Sequence, residues 1–451
     1  MASENYVLLE RIELNATAAS VTFANIPQTG YTDLKIVLST RTTDTTANDS
    51  TAIALQFNGD TASNYSRRTL YGDGGAVGST NATTTSMRIG FTTTNGDTAN
   101  TFGSAEFYVP NYTGSAQKSV SADAVTEANV AQYIYSALNA GLWTGTAAIT
   151  SITVLTPSFS FLQYSTFSLY GLAALGTTPT IAPKADGGNV IETDGTYWIH
   201  TFTSSGTFTP QTGLTCDYLV VAGGGAGGAA DTSDFSGGGG AGGLRSTVTA
   251  TGGGGSLESA LSLASGTGYT VTIGAGGTAS SASWTNGSNS VFSTITSTGG
   301  GAGGGLNSIP SWVTAASGGS GGGGTEANVA GAAGTANQGR AGGTSPGGPS
   351  GNSGGGGGGA SVVGSNGTTN NGGAGGAGVA TSITGTSVTY AGGGGGSGSS
   401  SSGAGGAGGG GAGSTGTATA GTANTGGGGG SGIRSGAAGG SGVVIIRYPI
   451  A

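Results

Sequence analysis

Few side chains in this sequence are equipped for chemistry. His200 is the single histidine and Cys216 the single cysteine. One His provides no metal pair, and one Cys provides neither a disulfide framework nor a cysteine-based metal cluster. His200 alternates with Trp198 and Phe202, and Cys216 with Leu214, Tyr218 and Val220. Both spacings read as inward faces of strands, so a structural imidazole and a buried thiol are expected. The three lysines, Lys35, Lys118 and Lys184, do not follow glycine, so no phosphate-binding loop exists. GxGxxG strings recur, but a chain with 100 glycines among 451 residues generates them by composition. Asp44, Asn48, Asp49, Asp60 and Asp73 fall in loop-like stretches and could ligate calcium, although none has an EF-hand pattern. Acids beyond residue 180 are few and unclustered. The expectation is a protein without catalytic residues, metal or cofactor.

Net charge is −8 with no basic stripe, so nucleic-acid binding has no electrostatic footprint. The start, Met1 to Arg11, carries charge within its apolar stretch and does not read as a signal peptide. No apolar run approaches the roughly 20 residues of a membrane helix. A soluble chain made without its own secretion tag is expected.

Residues 1 to about 175 read as strands. Leu34, Ile36 and Leu38 alternate with Asp33, Lys35 and Val37. Ile53, Leu55 and Phe57 alternate and stop at Asn58-Gly59-Asp60, a turn signal. Met87, Ile89 and Phe91 repeat the pattern, as do Ile152 with Val154, Phe159 with Phe161, and Phe167 with Leu169. Ala128–Ala140 could form a helix. Eight or so strands with Gly, Asn and Asp turns predict an antiparallel jelly-roll-like sandwich over residues 1–178. Pro179 and Pro183 then mark a stiff linker over 179–189.

From residue 190 to 451 the character changes. Strands are predicted at Tyr197–Phe202, Leu214–Val221, Tyr269–Ile273, Val291–Ile295, Ser387–Tyr390 and Val443–Tyr448, and glycine runs lie between them. Because a buried-type strand closes the region, the runs must leave a β framework and return to it. Glycine can order as a polyproline-II-type helix with three residues per turn and no internal hydrogen bonds. Ordering glycine costs roughly 0.5–1 kcal/mol more per residue than alanine. A net gain of about 0.5–1.5 kcal/mol per lateral hydrogen bond offsets that only when an arm is packed on several sides. A bundle of polyglycine-II helices is therefore predicted, with Ala, Ser, Asn and Thr on its outside. The whole chain is expected to be all-β: a sandwich, then a glycine-rich domain with a small β framework. Short non-glycine tips lie between runs at Asp231–Ser236, Leu306–Ser317, Thr325–Val329, Ser361–Asn371 and Ser414–Thr425. The candidate binding residues on them are Asp231, Asp234, Phe235, Asn307 and Trp312, of which Phe235 and Trp312 are either exposed for binding or folded onto the β framework.

Certain strings carry a family resemblance. Tyr197–Phe202, Gly206–Thr209 and Asp217–Gly225 are followed by Gly237–Arg245, Gly268–Gly277, Asn286–Ser290 and Gly440–Tyr448. Together they resemble the glycine-rich domain of phage tail-fibre and adhesin proteins over roughly residues 190–450. Leu55–Asp60, Asn64–Ser66, Ala148–Thr153 and Ser165–Gly171 resemble phage virion β-sandwich modules. The resemblance implies a non-enzymatic virion protein, assembled in the host cytoplasm. Residues 1–178 would attach it to other virion proteins and oligomerise it, with a trimer favoured. The bundle tips would meet a host receptor, a glycan or an outer-membrane protein. A capsid decoration or head-fibre role without a receptor is the alternative. An ice-binding or matrix role fits poorly with the irregular runs.

Overall fold

A computed structural model of the chain describes residues 6–47, 49–127, 135–173, 183–230, 234–281, 283–308, 311–325, 329–346 and 353–450. They fall into two compact units: residues 1–184 with 189–198 and 450–451, and residues 185–188 with 199–449.

The first unit is built of β1 (Tyr6–Glu13), β2 (Ser20–Phe23), β3 (Tyr31–Thr40), β4 (Ser50–Phe57), β5 (Tyr65–Gly72), β6 (Val77–Thr84), β7 (Met87–Thr93), β8 (Gly103–Val109), β9 (Lys118–Val125), β10 (Ser136–Trp143), β11 (Ile152–Leu155) and β12 (Thr166–Ala173). One sheet has the order β2-β11-β4-β7. The facing sheet contains β1-β12-β3-β8-β9-β10-β5-β6. From β2 to β5 and again from β6 to β8 the chain crosses between the sheets at each step, while β5 and β6 form a hairpin within the larger sheet and the β9–β10 hairpin lies between β8 and β5. Alternation sets the core: Leu34, Ile36, Ile53, Leu55, Phe57, Val154 and Phe167 have no accessible surface. The sheets approach closely where glycine allows it. A Cβ on Gly90 would lie 2.2 Å from that of Ala124, and one on Gly141 would lie 2.0 Å from Met87 Sδ.

Two local readings change. Residues 136–140 belong to strand β10 rather than a helix, because Ala137, Asn139 and Trp143 alternate inward; residues 128–134 lie outside the described residues. Phe159 is 38% exposed while Phe161 is fully buried, so the pair does not share a buried face. Residues 179–182 of the expected linker also lie outside the described residues.

In the second unit, β13 (Ala185–Asp186), β14 of the first unit (Val190–Thr193), β15 (Tyr197–Phe202), β16 (Gly206–Pro210) and β17 (Leu214–Val221) follow in chain order. The framework sheet runs Leu244–Ser246, β17, Val443–Pro449, β15. A smaller sheet joins β13, β16, Tyr269–Thr272, Ser290–Phe292 and Ile295–Ser297. The single strand expected at Val291–Ile295 is thus a hairpin, turned at Ser293 with φ 53°. The fold is all-β.

Candidate functional site

The glycine runs form a lattice whose hydrogen bonds repeat every third residue. In the arm 237–243, the amides of Gly237, Gly240 and Gly243 donate to the carbonyls of Gly304, Gly301 and Thr298. Those of Gly238 and Ala241 donate to Gly355 and Gly358, and those of Gly239 and Gly242 to Gly429 and Gly426. The carbonyls of the same arm accept from Gly225, Ser320, Gly323 and Gly394 on three further arms. One arm therefore has six neighbours, three on its donor sides and three on its acceptor sides. That is the geometry of a threefold helix without internal bonds, packed hexagonally. Arms 222–228 and 353–360 follow the same rule. Ala222, Gly225 and Gly228 donate to Gly243, Gly240 and Gly237, and Gly354, Gly357 and Ala360 donate to Ser397, Gly394 and Ala391.

The spacing admits no side chain at most positions. A Cβ on Gly238 would lie 2.1 Å from the Gly394 carbonyl oxygen, and one on Gly239 2.2 Å from that of Gly225. Both are backbone contacts that cannot yield. The expectation that larger residues face outward holds on the surface arms: Ala330, Ala333 and Ala336 are exposed at every third position. Inside it fails, because Ala222, Ala226 and Ala241 are fully buried, as are Ser236, Ser397 and Ser431. The serines have a physical reason. Where the lattice ends, hydroxyls replace missing backbone partners: Ser431 Oγ donates to the Ser236 carbonyl at 2.7 Å, and the Ser236 amide donates to Ser397 Oγ at 2.9 Å.

Turns gather at the two ends. At one end, Val221 and Ala222 lead out of β17, and Gly243 returns to the framework. At the other end lie the hairpin Gly305–Val313 and the turns at 366–371, 398–402 and 414–418. Apart from Gly416, the exposed residues of these last three are Asn, Ser and Thr. Ser399 Oγ donates to Asn370 Oδ1 at 3.2 Å, and Ser401 Oγ to Asn371 Oδ1 at 2.8 Å. Two stretches read as tips are more than turns. Ser365 and Thr419 are lattice residues, with their amides bonded to the Ala374 and Ala412 carbonyls.

The candidate tip residues fare differently. Phe235 is 6% exposed, and its carbonyl accepts from Thr325 Oγ1 at 3.0 Å. It is packed inward and not presented, because burial of the ring outweighs display beside a glycine lattice. Asp234 is half-buried. Asn307 and Trp312 lie on the two strands of the Gly305–Val313 hairpin, with Trp312 opposite Leu306. Asp231 lies outside the described residues. The exposed Asn370 falls in the predicted tip Ser361–Asn371 but not among the candidate residues, and Ser399–Ser401 fall in no predicted tip; their signal was the polar, glycine-free string itself.

The other candidates are structural. His200 is fully buried, with Nδ1 2.6 Å from the Gly187 carbonyl and Nε2 3.0 Å from Tyr448 Oη. Burial lowers its pKa to about 4. Burial raises the Cys216 thiol to about 12, helped by the Asp217 charge, so it is no nucleophile. Framework charges are paired: Arg245 grips Glu258 through Nε and Nη2 at 2.7 and 2.6 Å, and Arg447 meets Asp217 at 3.2 Å. The loop acids cap their own turns. Asp44 Oδ1 accepts from the Thr46 amide, and Asp49 Oδ1 from that of Ser50. Asp60 accepts from Ala62, Asn64 and Trp143, and Asp73 from Gly75 and Ala76. Among the described residues no group of three or more His, Cys, Asp or Glu side chains is placed to hold a metal ion; Asn48 lies outside them.

No curated protein and no solved structure matches the chain. A family profile does, described as a glycine-rich domain and matching residues 202–449. The match covers more than half of the sequence and takes in β16, β17, the glycine arms and the closing strand Val443–Pro449, so the chain belongs to the glycine-rich domain family.

Proposed function

We propose that this is a non-enzymatic phage virion protein, a tail fibre or adhesin whose polyglycine bundle presents its turns to the host surface. The sandwich unit would hold it to other virion proteins and to further copies of itself. One observation carries the reading. Chain reversals remote from the framework gather at one end of a main-chain lattice and expose uncharged hydroxyl and amide groups, among them Asn370, Ser399 and Ser401. An arm of seven residues spans about 20 Å and is held on all sides, so turns at its end sit on a stiff support. Variation of such turns leaves the support intact, as receptor-binding loops require. The resemblance of the framework strings to tail-fibre domains supports the same conclusion.

The test is adsorption. Purified full-length chain should bind cells of the host and compete with intact particles for adsorption. Substitution of Asn370, Ser399 and Ser401 together by alanine should weaken that competition. Protein that neither binds cells nor slows adsorption overturns the receptor role and leaves the capsid-decoration reading.

A further inference from the structure

We propose that the sandwich unit carries a binding site of its own, for a neutral saccharide, in the cavity between the 94–102 loop and the 162–164 turn. The cavity measures about 390 Å³ and is lined by Tyr164, Gln163, Asn95, Asn100, Phe102 and Thr17, with Arg41 and Asp97 behind them. It belongs to the first unit and shares nothing with the bundle tips.

Three observations define the ligand. First, the walls are fixed before anything binds. The buried Arg41 guanidinium donates to the carbonyls of Thr98 and Thr101 at 2.8 and 3.2 Å, and to those of Asn95 and Asp97 at 3.3 and 3.0 Å. One side chain thus pins the whole loop. Second, the charges are turned inward: Arg41 and Asp97 are both buried, and Nε is the one guanidinium nitrogen of Arg41 without a hydrogen bond. Arg41 is committed to those carbonyls, and Asp97 Oδ2 accepts the Thr94 amide at 2.8 Å. The groups left on the rim are neutral: the side chains of Asn95, Asn100, Gln163 and Thr17 are exposed. A primary amide offers a donor and an acceptor in one plane. A sugar hydroxyl is likewise both, so vicinal hydroxyls match such a rim.

Third, an aromatic ring is held out at a cost. Tyr164 is 63% exposed and has φ +70°, a region that bulky residues avoid. Its amide donates to the Leu14 carbonyl at 2.7 Å, which holds the backbone there. Strain of this kind collects at binding sites. With Phe102 it supplies the apolar faces on which the C–H side of a sugar ring packs.

The full-length chain should be applied to an array of neutral, sialylated and sulfated oligosaccharides, and the strongest neutral hit titrated by calorimetry. Binding of at least one neutral oligosaccharide is expected. Tyr164→Gly should weaken it tenfold or more without lowering the melting temperature, because glycine relieves the strain. Tyr164→Phe should retain most of the affinity, and Gln163→Ala should lose several-fold. Alanine at Asn370, Ser399 and Ser401 should leave this binding unchanged, so failure here is distinct from failure of the tip reading. No neutral hit at millimolar concentration, binding of anionic glycans alone, or a Tyr164→Gly protein that binds like the parent overturns the site.

Discussion

His200 on β15 and Tyr448 near the end of the chain face each other across 3.0 Å, between Nε2 and the phenol oxygen. With Nδ1 donating to the Gly187 carbonyl, Nε2 is left as the acceptor of the Tyr448 hydroxyl, which requires a neutral ring. The pair joins the strand that opens the glycine-rich unit to the one that closes it.

Stability should therefore fall in mild acid. Burial places the folded His200 pKa near 4, below its ordinary value. The unfolded chain takes up a proton first, so stability is full above about pH 6.5 and declines as pH falls towards 4. The loss approaches about 3 kcal/mol at the low end. Melting temperatures from pH 7.5 to 4.5 should show this slope, and a His200→Gln protein should show a shallower one. Parallel curves would refute the assignment.

The opposite sign applies to Glu10. It is 8% exposed on β1, and the register that pairs Arg11 with Ile191 sets it beside Glu192 of β14. Burial, and then the Glu192 charge, raise its pKa to about 8. A raised carboxyl pKa gives stability that is complete below the unfolded value and is lost as pH rises through 8. Glu10→Gln should melt higher than the parent at pH 9 and equal to it at pH 4. A parent protein whose melting temperature is flat from pH 6 to 9 would contradict this.

Some of this was legible in the residues. Asn58 and Gly59 take φ 52° and 67°, the left-handed turn their types announce, and β4 stops at Phe57 before them. Leu34, Ile36 and Leu38 are buried as their period requires. The hairpin at Ser293 was hidden because a φ of 53° at serine has no sequence mark. Which of its two placements Phe235 takes was not legible, because the Thr325 hydroxyl that bonds its carbonyl lies far along the chain. Which arm neighbours which is the least legible feature. Gly355, Gly301 and Gly429 all accept from one arm and are chemically alike, so framework strands such as β17 and Leu244–Ser246 must set the register.

Hydrogen exchange should report the lattice directly. Amides of arms 222–228, 237–243 and 353–360 are bonded and buried. They should open only in large unfolding events and exchange orders of magnitude more slowly than Ala404 and Ala407, which are exposed on an outer arm. Peptide-resolved mass spectrometry would separate the two classes. Uniformly rapid exchange across 222–243 would mean that the arms are not packed.

A methyl group placed in the lattice is the sharpest probe of its packing. In Gly238→Ala the new Cβ meets the Gly394 carbonyl oxygen at 2.1 Å, and both partners are main chain held by their own neighbours. Neither can move without breaking bonds to a third arm, so a cost of about 3 kcal/mol or more is expected. Gly416→Ala is the matched control, since its nearest neighbour is Ser414 Oγ at 3.7 Å. That change should fall within about 0.5 kcal/mol of the parent. Denaturant titration of both proteins measures the difference. Equal midpoints would show that the arms can separate to admit a side chain, and glycine would then be no structural requirement of the bundle.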